Sequence, residues 1–172
     1  MLTTESPAVL ETSFLAEAMN EAAAEVFSTM LNHTAQQDPP IVRQALHVLN
    51  DGVVSLIGLT GEWVGSGVLS CSSDCARWMS SQFLMSEYNE VNDEVLDAVG
   101  EITNMIIGNF KNKVAERAGP LAMSVPAVVY GQNMRTTTRG GAKEWIAFPV
   151  SCGDTCLELL VQLRPKPVTR RG

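Results

Sequence analysis

The sequence predicts an α+β fold in which two long helices pack side by side on one face of a largely antiparallel β-sheet. Three observations carry this expectation. Residues 11–31 place Phe14, Leu15, Ala18, Met19, Ala22 and Val26 at helical spacing. A longer helical run opens at Asn92-Asp93-Glu94 and closes at Gly119-Pro120, with Val95, Val99, Ile102, Ile106 and Phe110 on one side. Between and after these runs lie pairs of apolar segments with glycine at their turns, which read as hairpins. Burial of the two helical stripes, at roughly 25 cal/mol per Å2, supplies the main stability.

Taken in order, residues 1–9 read as a flexible N-terminus, 10–163 as a single domain, and 164–172 as a disordered basic tail marked by Pro165 and Pro167. The first helix stops before His33 and the run Asp38-Pro39-Pro40. Residues 41–49 read as a strand, though their period is ambiguous. Residues 53–59 and 63–71 form a hairpin across Thr60-Gly61. Its glycines, Gly61, Gly65 and Gly67, are not a phosphate loop, because no Lys-Ser/Thr follows and the spacing fits neither nucleotide fingerprint. Close packing under a helix is the expected reason for them. Residues 72–86 form a short helix, capped by Ser72, Ser73 or Asp74, that buries Trp78, Met79, Phe83 and Leu84. After the long helix come strand-like runs at 122–130, 144–151 and 156–163, the last two joined by a Gly153-Asp154 turn, with a loop at 132–143.

Composition narrows the function. A chain of 172 residues with 45% hydrophobic content suits one domain with a full core. Its net charge of −7 argues against nucleic acid or an anionic membrane as partner. No apolar run approaches the ~20 residues of a membrane span, and no basic-then-apolar leader opens the chain, so a cytoplasmic location is expected. The four cysteines, Cys71-x3-Cys75 and Cys152-x3-Cys156, are spaced as zinc permits, but no carboxylate or histidine cluster accompanies them. Thiols acting as small hydrophobes are the expectation. Neither His33 nor His47 belongs to a nucleophilic triad, and no serine or cysteine sits in an elbow motif.

The chemistry is expected on the long helix. Asp97, Glu101, Asn104 and Gly108 fall at about 0°, 40°, −20° and 20° around its axis, opposite the core side. An ordinary solvated face carries good helix formers. Here Asn104 and Gly108 cost roughly 0.5 and 1 kcal/mol relative to alanine, which calls for an offsetting role. A glycine one turn from an amide leaves a dent that another protein's backbone could enter.

The segment Asp97-Ala-Val-Gly-Glu-Ile-Thr-Asn-Met-Ile-Ile-Gly108 resembles the signature helix of the CheC/CheX/FliY family of chemotaxis phosphatases, the CheX branch in particular. Ser55-Leu-Ile-Gly-Leu-Thr-Gly61, Gly65-Ser-Gly-Val-Leu-Ser70, Cys75-Ala, and Ser124-Val-Pro126 with Gly131 are also similar, so the resemblance covers roughly residues 8–163. It implies a CheC-like fold with an internal pseudo-repeat. It implies a phosphatase acting on a phosphorylated CheY-like response regulator, with Glu101 and Asn104 catalytic and Asp97 and Gly108 binding the partner. Glu101 would pair with the receiver's lysine, and Asn104 would hold a water in line with the phosphorus. Such positioning is worth ~2 to 4 kcal/mol. The chain itself would need no cofactor, since a divalent metal (Mg) belongs to the receiver, and family members commonly close an open sheet edge by forming a homodimer. The alternative is a scaffold of the same fold that binds a receiver without hydrolysis. Ser13-x3-Glu17-x2-Asn20 in the first helix echoes the motif, but Ala24 stands where Gly108 does.

Overall fold

The computed structural model describes residues 9–46, 50–134 and 144–167. The elements in chain order are α1 (Thr12–Met30), β1 (Gln36–Gln37), β2 (Ile41–Arg43), β3 (Asp51–Gly61), β4 (Trp63–Ser72), α2 (Ser73–Leu84), α3 (Asp93–Ala118), β5 (Leu121–Met123), β6 (Ala127–Gln132), β7 (Trp145–Cys152) and β8 (Thr155–Pro165). All ladders are antiparallel and form one sheet in the order β1-β7-β8-β4-β3-β5. β2 also pairs with β7, and β6 with β3.

The α+β expectation holds: α1 and α3 lie side by side on one face. From α3, Val99, Ile102, Ile106 and Phe110 are fully buried against Met19, Val26 and Phe27 of α1 and the inward positions of the central strands. Alternation selects those positions: Val53, Ile57 and Leu59 of β3 point inward, as do Leu69 and Cys71 of β4 and Leu159 and Val161 of β8. Gly67 explains itself here, because a β-carbon would lie 2.7 Å from Ile107 Cδ1. Two polar contacts tie the helices together outside the core: Lys113 pairs with Glu21, and Asn109 Nδ2 donates to Glu25 Oε2 at 3.2 Å. The other face of the sheet holds a smaller cluster of Val68, Trp145, Ala147 and Leu160.

Several boundaries move. Only residues 41–43 of the expected 41–49 strand join the ladder, and 47–49, with His47, lie outside the described residues. The expected strand 122–130 breaks into β5 and β6. Between the pairs Leu59↔Met123 and Leu56↔Ala127, β3 has two residues, Ile57 and Gly58, while the returning chain has three, Ser124, Val125 and Pro126. That extra residue is a bulge. Ser124 secures it: its Oγ accepts from Gly58 N–H at 2.8 Å, and its N–H donates to Gly58 O at 3.0 Å. Residues 164–166 belong to the fold and not to a tail: Arg164 and Pro165 pair with Val64 and Trp63, and Lys166 N–H donates to Glu62 O at 2.7 Å. The expectations for residues 1–8, for 135–143 within the loop and for 168–172 fall outside the described residues. No helix among the described residues is long and apolar enough to cross a membrane.

Candidate functional site on the long helix

α3 is built to present one stripe rigidly. Asn92 caps it, its Oδ1 accepting from Val95 N–H at 3.0 Å, and Asp93 and Glu94 sit in the positive first turn. Arg117 occupies the last turn, and Gly119 closes the helix with φ of 74°. Across these 26 residues the buried side is continuous, so the helix cannot rotate without exposing core.

The four expected residues come together on the outward side. Asp97 and Glu101 are exposed, while Asn104 and Gly108 are half-buried. No hydrogen bond or ion pair among the described residues engages the side chains of Asp97, Glu101 or Asn104. The amide and the carboxylate are thus free for an external ligand.

The two flanking glycines of Asn104 differ in their reasons. A β-carbon on Gly100 would lie 3.2 Å from Val128 Cγ2 and 3.8 Å from Pro126 Cβ, so the fold itself requires the close approach. On Gly108 the nearest atom would be Met123 Cε at 3.7 Å, an ordinary contact. Alanine would fit there and would favour the helix by about 1 kcal/mol. Among the described residues no contact requires a glycine at 108.

Walls stand on both sides of the stripe. A shallow groove of about 440 Å3 separates it from the end of α2, lined by Phe83, Leu84, Ser86, Tyr88, Glu94, Asp97, Ala98 and Glu101. Tyr88 Oη donates to Glu94 Oε2 at 2.6 Å across this groove, and the carboxylate raises the phenol's pKa above its usual value. On the other side runs the 124–126 bulge, fixed beside α3 by Met123 near Gly108 and Pro126 near Gly100. The stripe was readable from spacing. Its walls were not, because they return from distant parts of the chain; Ser124-Val-Pro126 was the one signal, and the structure sets Pro126 against α3 at Gly100.

Elsewhere the chemistry is quiet. All four cysteines are free; Cys71, Cys75 and Cys152 are buried and Cys156 is exposed. A hydrogen bond with Cys75 and then burial push the Cys71 thiol well up, and burial pushes Cys152 up to about 12. Among the described residues no group of three or more His, Cys, Asp or Glu could hold a metal ion. His33 packs edge-on against Trp78, with ring centroids 5.1 Å apart, at the end of α1. On α1, Ser13, Glu17, Asn20 and Ala24 are all exposed.

Residues 53–149 match the family described as chemotaxis phosphatase CheX. The chain is 32% identical over 89 residues to the CheY-P phosphatase CheX of Thermotoga maritima, a stretch that covers 51% of this chain and 57% of that protein. It thus spans little more than half the length of this curated relative. A CheC-like superfamily protein from Shewanella sp. PV-4 shares the fold with a TM-score of 0.77 at 23% identity, covering 90% of this chain and 99% of that one. The CheX–CheY–BeF3–Mg2+ complex from Borrelia burgdorferi aligns at 26% identity with a TM-score of 0.72, covering 86% of this chain and 96% of that one. With the matched family spanning more than half of the sequence, the chain belongs to the CheX family of chemotaxis phosphatases.

Proposed function

We propose that this chain hydrolyses the aspartyl phosphate of a phosphorylated CheY-like receiver, with Asn104 orienting the attacking water and Glu101 docking the receiver. One observation carries the reading: Glu101 and Asn104 point outward from a fixed helix, lack partners of their own, and sit beside a glycine the fold does not need. The Asn104 amide both donates and accepts, so it can hold one water without titrating. The water oxygen bonds to phosphorus as the bond from phosphorus to the aspartyl oxygen breaks. The products are inorganic phosphate and a free aspartate carboxylate, and the proton lost from the water passes to phosphate or solvent. The acyl phosphate is already activated, so positioning is the main contribution left to make.

Mg2+ belongs to the receiver's side of the complex and is not a cofactor of this chain. Asp97 contacts the partner, and Gly108 gives its backbone room. The setting is cytoplasmic two-component signalling. The test is to mix the chain with a panel of receivers phosphorylated by acetyl phosphate and to follow phosphate release. Accelerated release is expected from at least one receiver. Binding with an unchanged phosphoryl lifetime would replace the phosphatase with a scaffold.

We also propose a homodimer through the β6 edge. The opposite edge is interrupted by Pro39 and Pro40, which lack N–H donors, between the short β1 and β2. β6 runs six residues and carries exposed Val129 and Tyr130. Light scattering at micromolar concentration should give twice the chain mass.

A further inference from the structure

Two exposed apolar residues flank the stripe that carries Asn104: Met85 past the end of α2, and Val125 in the bulge between β5 and β6. Met85 follows α2 at φ of 51°, the left-handed region where glycine is the usual occupant. Apart from it, the positive-φ residues other than glycine among those described are Asn32 and Asn133, whose amides tolerate that conformation. Met85 is strained, and it is also 91% exposed. Its neighbours Leu84 and Ser86 line the groove that ends at Asp97 and Glu101.

Val125 stands on the other side and is 84% exposed. Its place follows from the contacts flanking it, Met123 near Gly108 and Pro126 near Gly100. Those glycines lie eight residues apart, about 12 Å along the helix, with Asn104 midway. The link between Met123 and Pro126 therefore passes Asn104, and the bulge turns Val125 outward there. Bulges recur where a side chain must be re-aimed next to a functional site.

We propose that Met85 and Val125 are the two apolar jaws that dock the phosphorylated receiver over Asn104, one on each side of the phosphate-bearing surface. This rests on the phosphatase reading above and assigns the recognition surface of that same site. Charge selects the occupant. Between the jaws lie Glu94, Asp97 and Glu101, with no cation paired to them among the described residues. The occupant must bring positive charge to the centre and apolar surface to both rims. A receiver whose phosphate is held by a divalent cation and a lysine does so. A second copy of this chain, at net charge −7, would bring like charge to an acidic floor.

The experiment measures Met85→Gly, Val125→Ser and the double variant in two assays. One is steady-state phosphate release from an acetyl-phosphate-charged CheY receiver. The other is the Kd for the same receiver held active with beryllofluoride and Mg2+. Each single variant should raise KM and Kd about fivefold at constant kcat, and the double variant about twenty-fivefold, since the sites are well separated. Met85→Gly should also raise Tm by about 2 °C through relief of strain, which excludes misfolding as the cause. Wild-type KM and Kd in both single variants would overturn the jaws while leaving the phosphatase reading intact. A changed mass in light scattering with unchanged receiver affinity would also overturn them, by making the rim a self-association face. Jaw-dependent binding with no phosphate release by wild type would keep the docking surface and sink the phosphatase. A wild-type chain that neither binds nor hydrolyses would remove both.

Discussion

The same spacing of a carboxylate and an amide occurs twice, on α3 as Glu101 and Asn104 and on α1 as Glu17 and Asn20, and the two places differ in everything around them. On α3 the stripe lies in a trough between the end of α2 and the β5–β6 bulge, with Asn104 half-buried and Gly108 leaving a dent. On α1 the face around Asn20 is bare: Asn20 is exposed and a methyl group, Ala24, stands where the dent would be, while Glu17, nearly a turn earlier, lines a groove with Lys113, Glu116 and Arg117 of α3. Neighbouring α1 residues serve the fold, Glu21 pairing with Lys113 and Glu25 accepting from Asn109. A motif written as residue spacing describes both. What separates them is the surface around each, walled on both sides on α3 and open around Asn20 on α1.

The largest test of that difference is the pair Asn104→Ala and Asn20→Ala. The first should lower kcat for phosphate release by roughly a hundredfold or more while leaving Kd for the receiver nearly unchanged, because in the proposed mechanism the amide holds water and not the partner. Asn20→Ala should leave both at wild-type values. Each replacement removes a poor helix former, so neither should lower Tm. If Asn104→Ala retained full turnover, the mechanism would be wrong even with the fold right; if Asn20→Ala cost activity, the bare α1 face would be a second site.

Glu101→Ala against Glu17→Ala comes next. Loss of Glu101 should weaken receiver binding about tenfold and slow turnover as well, the effect of removing one charged contact at a docked surface. Loss of Glu17 should alter neither. Pre-steady-state release from a saturating receiver separates the binding part of the Glu101 effect from the turnover part.

Gly108→Ala and Ala24→Gly probe the dent itself. A methyl at 108 meets only Met123 Cε at ordinary distance, so the variant should be more stable by about 1 kcal/mol, yet it should lose several-fold in kcat/KM. Ala24→Gly should cost about 1 kcal/mol on α1 and leave phosphate release unchanged. A Gly108→Ala chain that is both more stable and fully active would remove the partner's approach as the reason for the glycine.

These contrasts also mark what could be read from sequence. The stripe was legible because one helix's period decides which residues share a face, and the apolar side of α3 fixed the rest. Strand pairing was legible where glycine turns joined neighbouring runs, as in β3–β4 and β7–β8. The trough was not, since its walls depend on where the chain returns after α2 and after β5. Val125 looked like one more strand residue within 122–130; only the pairing of both flanks with β3 reveals a spare residue there and turns it outward. Met85 gave no signal, because a left-handed cap is usually announced by glycine or asparagine. The tail expected from 164 was partly paired, since Pro165 sits at the end of β8, where an absent N–H is tolerated.

The smallest expected effect lies in the polar tie between the two helices. Lys113→Met removes the pair with Glu21 without touching either stripe's outward residues, so phosphate release should be unchanged and Tm should fall only slightly, as for exposed pairs in general. The hydrogen bond with Glu21 raises the lysine's pKa above its usual value; desolvation opposes it, and the charges of Glu21, Glu25 and Glu116 add to the rise. A folded-state pKa raised above the unfolded one means that the contribution is fully present below the ordinary lysine range and is lost as pH rises through the raised value. Thermal melts of wild type and Lys113→Met should therefore differ at neutral pH and low salt, draw together as salt is added, and coincide at strongly alkaline pH. A difference in Tm that persisted under those conditions would mean that something other than the lysine's charge sets the contribution of this position to stability.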